Sequence, residues 1–277
     1  MTVAWVTLKK ELASYLFAPA GYVVAFLLYL YRGFEVDRMV HYAGAVGIER
    51  EQFATLYLLQ QSSLLLLILV PAILTMRCFA EEKRTGSIEV LLTAPVRDLE
   101  IVVGKWLAAL VFFALLWLPA IVVLIVMQGD GYLGTTLPAG PILSGFLGVL
   151  LVGALLLAVG CFTSSLTDNQ LLASLSAMLF SWALLYGPAQ FAAPGVAEPA
   201  GVPPEQVDAF TAWIRSLSEW FDQNLLRPVV EQVNVIDHLQ AWFFRGIVNS
   251  AHVAFYVAGT ACFLFLTARS LEARRWR

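Results

Sequence analysis

Residues 101–127 read IVVGKWLAALVFFALLWLPAIVVLIVM, and this stretch decides the fold class. It is twenty-seven residues long and carries one charge, Lys105. A helix that crosses the hydrocarbon core needs about 20 mostly apolar residues. A membrane-crossing strand would instead show segments of about ten residues with alternating polarity. An unbroken apolar run demands a helix, because only a helix satisfies its own backbone hydrogen bonds in lipid. Lys105 lies near one end of the run, where its long side chain is expected to snorkel to the interface.

Five further runs have the same character: Leu12–Tyr31, Tyr57–Met76, Pro141–Ser165, Gln170–Phe191 and Ile247–Ala268. The first is expected to hold a span from about Phe17. The whole chain of 277 residues is 60% hydrophobic and 13% charged, against about 45–50% and 25% for a soluble domain. These figures exclude a soluble enzyme, a disordered chain and a collagen-like fibre. The fold class expected is all-α: a polytopic membrane protein with six transmembrane helices. The formal net charge of −3 gives no footprint for nucleic acid. Cys78, Cys161 and Cys262 lie in or beside apolar runs at no metal or disulfide spacing, and read as small buried apolar residues.

Basic residues set the orientation. With a cytoplasmic N-terminus, 11 of the 17 Lys and Arg fall in inside segments, among them Arg77, Lys83, Arg84, Arg97 and the closing Arg269, Arg274, Arg275 and Arg277. Six spans return the C-terminus to the cytoplasm. Lys9 and Lys10 precede an apolar run with no A-x-A site, so no cleavable signal peptide is expected. Residues 1–16 read as an interfacial helix, with Trp5, Leu8, Leu12 and Tyr15 on one face and Lys9, Lys10 and Glu11 turned away.

The loop 77–98 is the most informative segment outside the spans. Glu81, Glu82, Lys83 and Arg84 extend span two into water. Gly86 can break that helix, because glycine tolerates positive φ. Ser87 is a plausible N-cap of a short second helix, with Glu89 in its first turn where the dipole favours an anion. Ile88, Leu91 and Leu92 make an apolar face, Pro95 stops the helix, and Asp98 caps span three. Physical chemistry alone leaves open whether that face lies in a groove of a partner protein or flat on lipid headgroups.

Residues 192–246 form a long external segment. Its start, with Pro194, Pro199, Pro203 and Pro204, is irregular. Val207, Phe210, Ile214, Leu217 and Phe221 then recur at helical spacing beside Trp213 and Trp220, and a second apolar stretch runs from Val229 to Phe244. Both read as amphipathic helices at the outer boundary, serving as a gate, a partner contact or a structural lid. Ser144/Gly148, Ala154/Ala158 and Ala173/Ala177/Ser181 are small residues at four-residue spacing, the pattern of close helix packing. Pro71, Pro119 and Pro188 are expected to kink their helices.

Several chemistries are missing. Gly104-Lys105 is followed by Trp106 and lacks the upstream glycine of a phosphate loop. There is no H-E-x-x-H, C-x-x-C or G-x-S-x-G. The six runs contain no Asp, Glu or Arg, which argues against an ion-coupled pump. His238 and His252, near Asp237 and Ser250, are the only basis for a membrane-embedded hydrolase.

The segment Phe79-Ala-Glu-Glu-Lys-Arg-Thr-Gly-Ser-Ile-Glu-Val-Leu-Leu-Thr-Ala-Pro95 closely resembles the cytoplasmic signature of ABC-2 type permeases, the membrane subunits of one class of ATP-binding-cassette transporter. His238, Phe244-Arg245-Gly246 and Leu271-Glu272-Ala-Arg274-Arg275-Trp276 resemble the subgroup of the gliding-motility permease GldF. The resemblance implies that Ser87–Thr93 is a coupling helix seated in a separate ATPase subunit. Glu81, Glu82, Lys83, Arg84, Thr85, Gly86, Ser87, Ile88, Glu89, Leu91, Leu92 and Pro95 would form that contact. Residues 1–16 would be the connector helix. Residues 17–191 would hold spans one to five, and 247–277 span six with its basic tail. Phe210, Trp213, Trp220, His238 and Arg245 would belong to an external gate or partner contact; the long Pro-interrupted form of 192–246 departs from the shorter re-entrant hairpin of many such permeases.

The implied assembly pairs two permease chains, identical or related, with two ATPase subunits. ATP and Mg would sit in the ATPase, with no cofactor, metal or catalytic residue in this chain. An external accessory protein is a further implied partner, and the chain would lie in the cell inner (plasma) membrane. The function expected is an exporter permease. The alternatives are ATP-driven force transmission to an external partner without transport, and the hydrolase.

Overall fold

The computed structural model describes residues 3–46, 61–86, 97–126, 139–192, 230 and 232–275. Among the described residues every regular element is helical. Helix α1 covers Val3–Phe17, α2 Pro19–Val46, α3 Gln61–Thr75, α4 Ala80–Arg84, α5 Asp98–Val126, α6 Ala139–Leu166, α7 Gln170–Ala192 and α8 Ser250–Arg275. Five helical stretches are long and apolar enough to cross a membrane: Ser63–Arg84, Asp98–Val126, Ala139–Leu166, Gln170–Pro188 and Ser250–Ala273. A sixth arises if Val3–Phe17 and Gly21–Arg38, bent by 62° at their junction, form one broken span. Pro19 suits that junction, since a first-turn proline loses no helical hydrogen bond.

Local chemistry starts and stops these helices. Asn169 accepts from the amide of Leu171 at 2.9 Å, and Asn249 accepts from that of Ala251 at 3.0 Å, so each satisfies an orphan donor at a helix start. Asp98 opens α5, with Glu100 beside it in the first turn. The chain divides into two compact units, residues 1–181 with 239–277, and residues 182–238.

Within the first unit α6 is the central helix. About 72% of its apolar window is buried, as in Ser63–Arg84, against 28% for α8. The small-residue stripes act as packing sites. Ala173, Ala177 and Ser181 are each 1% exposed. Gly148 receives Leu239 and Phe243 so closely that a Cβ there would lie 2.8 Å from the Phe243 ring. Ser144, one turn earlier, donates to the Phe243 carbonyl.

Four sequence expectations change. First, α2 continues fifteen residues past Tyr31 and carries Arg32 and Glu35 into the interior, where they are 6% and 0% exposed. The apolar run ended at Tyr31 because charge ended it, but the two charges pair with each other and the helix goes on. Second, span two does run on to Arg84, through a turn at residues 76–79, but Glu82 and Lys83 at its end meet protein partners and not water. Third, the described part of Val229–Phe244 is not one amphipathic helix. It is a short turn at Val235–Asp237, a π-helical segment at His238–Trp242 and a 3₁₀ turn at Phe243–Arg245, ended by Gly246 at φ +85°. Fourth, Cys262 is exposed, whereas Cys78 and Cys161 are buried.

Replacing Gly148 by Ala should push Phe243 off α6 and cost about 1–3 kcal/mol, read as a lower thermal midpoint of the purified protein in detergent. Gly140→Ala, whose new Cβ meets nothing within 4 Å, should leave the midpoint unchanged.

Candidate functional site

Lys105 lies in the second turn of α5, 3% exposed. An ammonium has three protons to donate, and three acceptors surround this one. Nζ donates to Glu11 Oε1 of α1 at 2.9 Å, to Glu82 Oε1 of α4 at 2.7 Å, and to the Cys78 carbonyl at 2.9 Å. The Phe79 ring lies 5.4 Å away. Lys105 therefore does not snorkel. Desolvating an ammonium costs several kcal/mol unless partners replace the water, and here two carboxylates and a carbonyl do so.

Glu11 reaches Lys105 because α1 crosses α5 at close range. A Cβ on Gly104 would lie 2.8 Å from the Ala4 carbonyl oxygen and 2.9 Å from Thr7 Cβ. One turn beyond Glu11, the Tyr15 hydroxyl donates to the Leu74 carbonyl at 2.9 Å, and its ring stacks on Phe112 at 5.3 Å. Glu11, expected to turn away from the face of Tyr15, thus turns toward the bundle with it, while Trp5 is 47% exposed beneath the Lys9 ammonium.

The turn before α4 is fastened from a second side. The amides of Phe79 and Ala80 both donate to Ser164 Oγ at 3.1 Å, and Lys83 Nζ donates to the Ser165 carbonyl. Beneath them Cys78, Phe79, Val102, Ala158, Cys161 and Leu264 form one apolar cluster. The two buried cysteines serve there as apolar filler. Residues 78–84 are in this way bolted to α1, α5 and α6 together. Past the bolt, Thr85 caps α4 through its hydroxyl to the Glu81 carbonyl at 3.0 Å, and Gly86 stands at φ +73°. The geometry is a rigid mount with a break at its exposed end. Among the described residues no group of His, Cys, Asp or Glu could hold a metal ion.

The sequence-predicted residues distribute as follows. Glu82 and Lys83 face inward to the partners named above. Glu81 lies 4.0 Å from Arg77, a half-exposed pair, and Arg84 is exposed. Ser87, Ile88, Glu89, Leu91, Leu92 and Pro95 lie outside the described residues, as do Phe210, Trp213 and Trp220. His238 is buried, and its amide donates to the Asn234 carbonyl at 3.1 Å; Arg245 is exposed at the end of its turn. His252 packs on the Trp242 ring at 5.5 Å.

A second charged cluster went unseen in the sequence. Arg32 Nη1 donates to Glu35 Oε2 at 3.0 Å and to Ser63 Oγ at 2.7 Å, and its guanidinium lies 4.4 Å from the Trp117 ring centroid. The i, i+3 spacing of Arg32 and Glu35 was the available signal.

A family model described as "ABC-2 family transporter protein" matches residues 46–217, more than half of the chain. No curated protein matches.

Lys105→Met should strand Glu11 and Glu82 without their cation and cost about 3–5 kcal/mol of stability, measured by thermal unfolding in detergent. Adding Glu11→Gln and Glu82→Gln to the same chain should restore most of the loss. A triple variant as unstable as Lys105→Met would show that packing, not charge pairing, is what the lysine supplies.

Proposed function

Because the chain belongs to the ABC-2 family of transporter proteins, and so is a multi-pass membrane permease component that associates with an ABC ATPase subunit, we propose that it works as an exporter permease driven by ATP hydrolysis in that partner. Two permease chains, identical or related, would meet two ATPase copies, which would hold the ATP and Mg. The chain would lie in the inner membrane with both termini in the cytoplasm. Segment Ser87–Thr93 would be the coupling helix, with Glu81, Glu82, Lys83, Arg84, Thr85 and Gly86 at its root and Glu89, Leu91 and Leu92 in the ATPase groove.

The single observation that carries this reading is the mount around Lys105. A helix pushed by an ATPase moves a bundle only if its root is stiff. The root here is tied to α5 by Lys105–Glu82, to α1 through Lys105–Glu11 and to α6 by Ser164. A displacement at residue 86 would therefore reach three helices as one rigid-body movement, and closure of the ATPase dimer on ATP would bias the bundle between two states. His238, Phe244-Arg245-Gly246 and the closing Leu271–Trp276 favour the subgroup related to the gliding-motility permease GldF. The separate compactness of residues 182–238 supports a second reading, force transmission to an external accessory protein without transport.

Glu89→Lys combined with Leu91→Lys should abolish ATP hydrolysis in complexes purified through a tag on this chain from native membranes. The chain itself should stay monodisperse. Undiminished hydrolysis would remove the coupling assignment. ATP-dependent flux in vesicles containing the complex separates transport from force transmission.

A further inference from the structure

Helix α2 is attached to the bundle in an unusual way. Tyr22, Val23, Phe26, Leu27, Leu30 and Phe34 are all exposed, and the residues of its described part that are buried are Leu28, Arg32 and Glu35. These three form one stripe at i, i+4 and i+7, and two of them are an ion pair. Apolar side chains give helices little reason to associate within lipid, where the alternative neighbour is equally apolar. The polar contact of Arg32 to Ser63 of α3 and its stacking on Trp117 of α5 are thus the specific glue for α2 at this level. Beside them a half-open cavity of about 140 Å³ lies between α2 and α5, lined by Arg32, Gly33, Val36, Trp117, Pro119 and Ala120 among others. Pro119 cannot donate to the Leu115 carbonyl, and the Tyr29 hydroxyl of α2 donates to that oxygen at 3.5 Å, a long and exposed bond.

The geometry points to a latch: Arg32, oriented by Glu35 of its own helix, holds α2 against Ser63 of α3 and Trp117 of α5 as a releasable contact, and α2 swings away there when the latch opens. Trp117 lies twelve residues beyond Lys105 on the same helix, about 18 Å along it. Ser63 and Cys78 are separated by fifteen residues of the second span, about 22 Å on the same rise. The two clusters therefore sit at opposite ends of the same two spans. The Lys105 cluster is built to stay closed, with three acceptors for three protons and dense packing beneath. The Arg32 cluster has a void at its side and one stripe to release. A two-state bundle pivoting on the first would open at the second, on the outer side in the proposed orientation. The role in transport rests on the exporter reading; the existence of the latch does not.

Ala120 supplies the reporter, since it lines the cavity and is 8% exposed while α2 is in place. The full chain carrying Ala120→Cys and Cys262→Ala is purified in lipid nanodiscs without ATP and reacted with a water-soluble maleimide. Adding Arg32→Gln should accelerate labelling of the thiol introduced at position 120 at least about tenfold, as local opening replaces the latched state. Ser63→Ala, which removes the hydrogen bond from Arg32 and keeps the ion pair, should give an intermediate rate. Cys78 and Cys161 must stay unreactive in each case; if Arg32→Gln exposes them, Ser63→Ala decides alone. Equal rates in the parent and in Ser63→Ala with a folded Arg32→Gln equally slow, or in Ser63→Ala alone where Arg32→Gln unfolds, overturn the latch. Accelerated labelling in complexes that show no ATP-dependent flux would keep the latch and remove the transport reading. Flux with unaltered labelling would do the reverse.

Discussion

Lys105 stands on a helix whose natural surroundings are hydrocarbon, so its charge has to be met from within the chain. That requirement organises one end of the molecule. It draws Glu11 of α1 and Glu82 of α4 to a common point and fixes the Cys78 carbonyl beside them. Gly104, the neighbour of Lys105, leaves the space that lets α1 come close enough for Glu11 to reach. Once these contacts form, the turn at 76–79 cannot slide along α6 without stranding an ammonium. The anchoring of residues 78–84 follows from electrostatics in a low dielectric, not from the helix propensity of five residues in α4.

The rest of the bundle obeys a different rule. Where neither water nor charge drives association, close packing and backbone hydrogen bonds do. Helix α6 meets its neighbours through small residues: Ser144 and Gly148 take Phe243, and the Ala154 carbonyl accepts the Trp106 indole at 3.0 Å. Helix α2 has no such stripe, and its inward face is polar. The same chain thus uses small residues along α6, and at α2 a buried arginine that reaches Ser63 of α3 and the Trp117 ring of α5.

Much of the fold was legible because hydrophobic run length is a direct reading of what lipid permits. The runs 101–127, 141–165, 170–191 and 247–268 reappear as α5, α6, α7 and α8 with ends shifted by a few residues. Gly86 ends its helix at positive φ, as a residue without Cβ allows. The site was less legible. Glu11 and Lys105 are ninety-four residues apart, and local periodicity placed each by its own helix, one facing away and one facing the interface. Arg32 and Glu35 looked like the end of a span because charge scales count residues singly, whereas a pair that neutralises itself on one face costs far less than two isolated charges.

What the sequence by itself determined is the class of solvent: 136 residues in six runs with one charge between them must lie in lipid as helices, with the remaining charge gathered outside. It also determined those helix ends that rest on a local residue, such as Gly86 at φ +73° and the Asn169 cap of α7, but not the end of α2, which runs on past Tyr31. Only the tertiary structure decided which charges are buried. Burial depends on what a helix meets across the bundle: Glu35 stands at i+3 from Arg32, but the other partners of Lys105 and Arg32 come from α1, α3, α4 and α5, at separations no local pattern encodes.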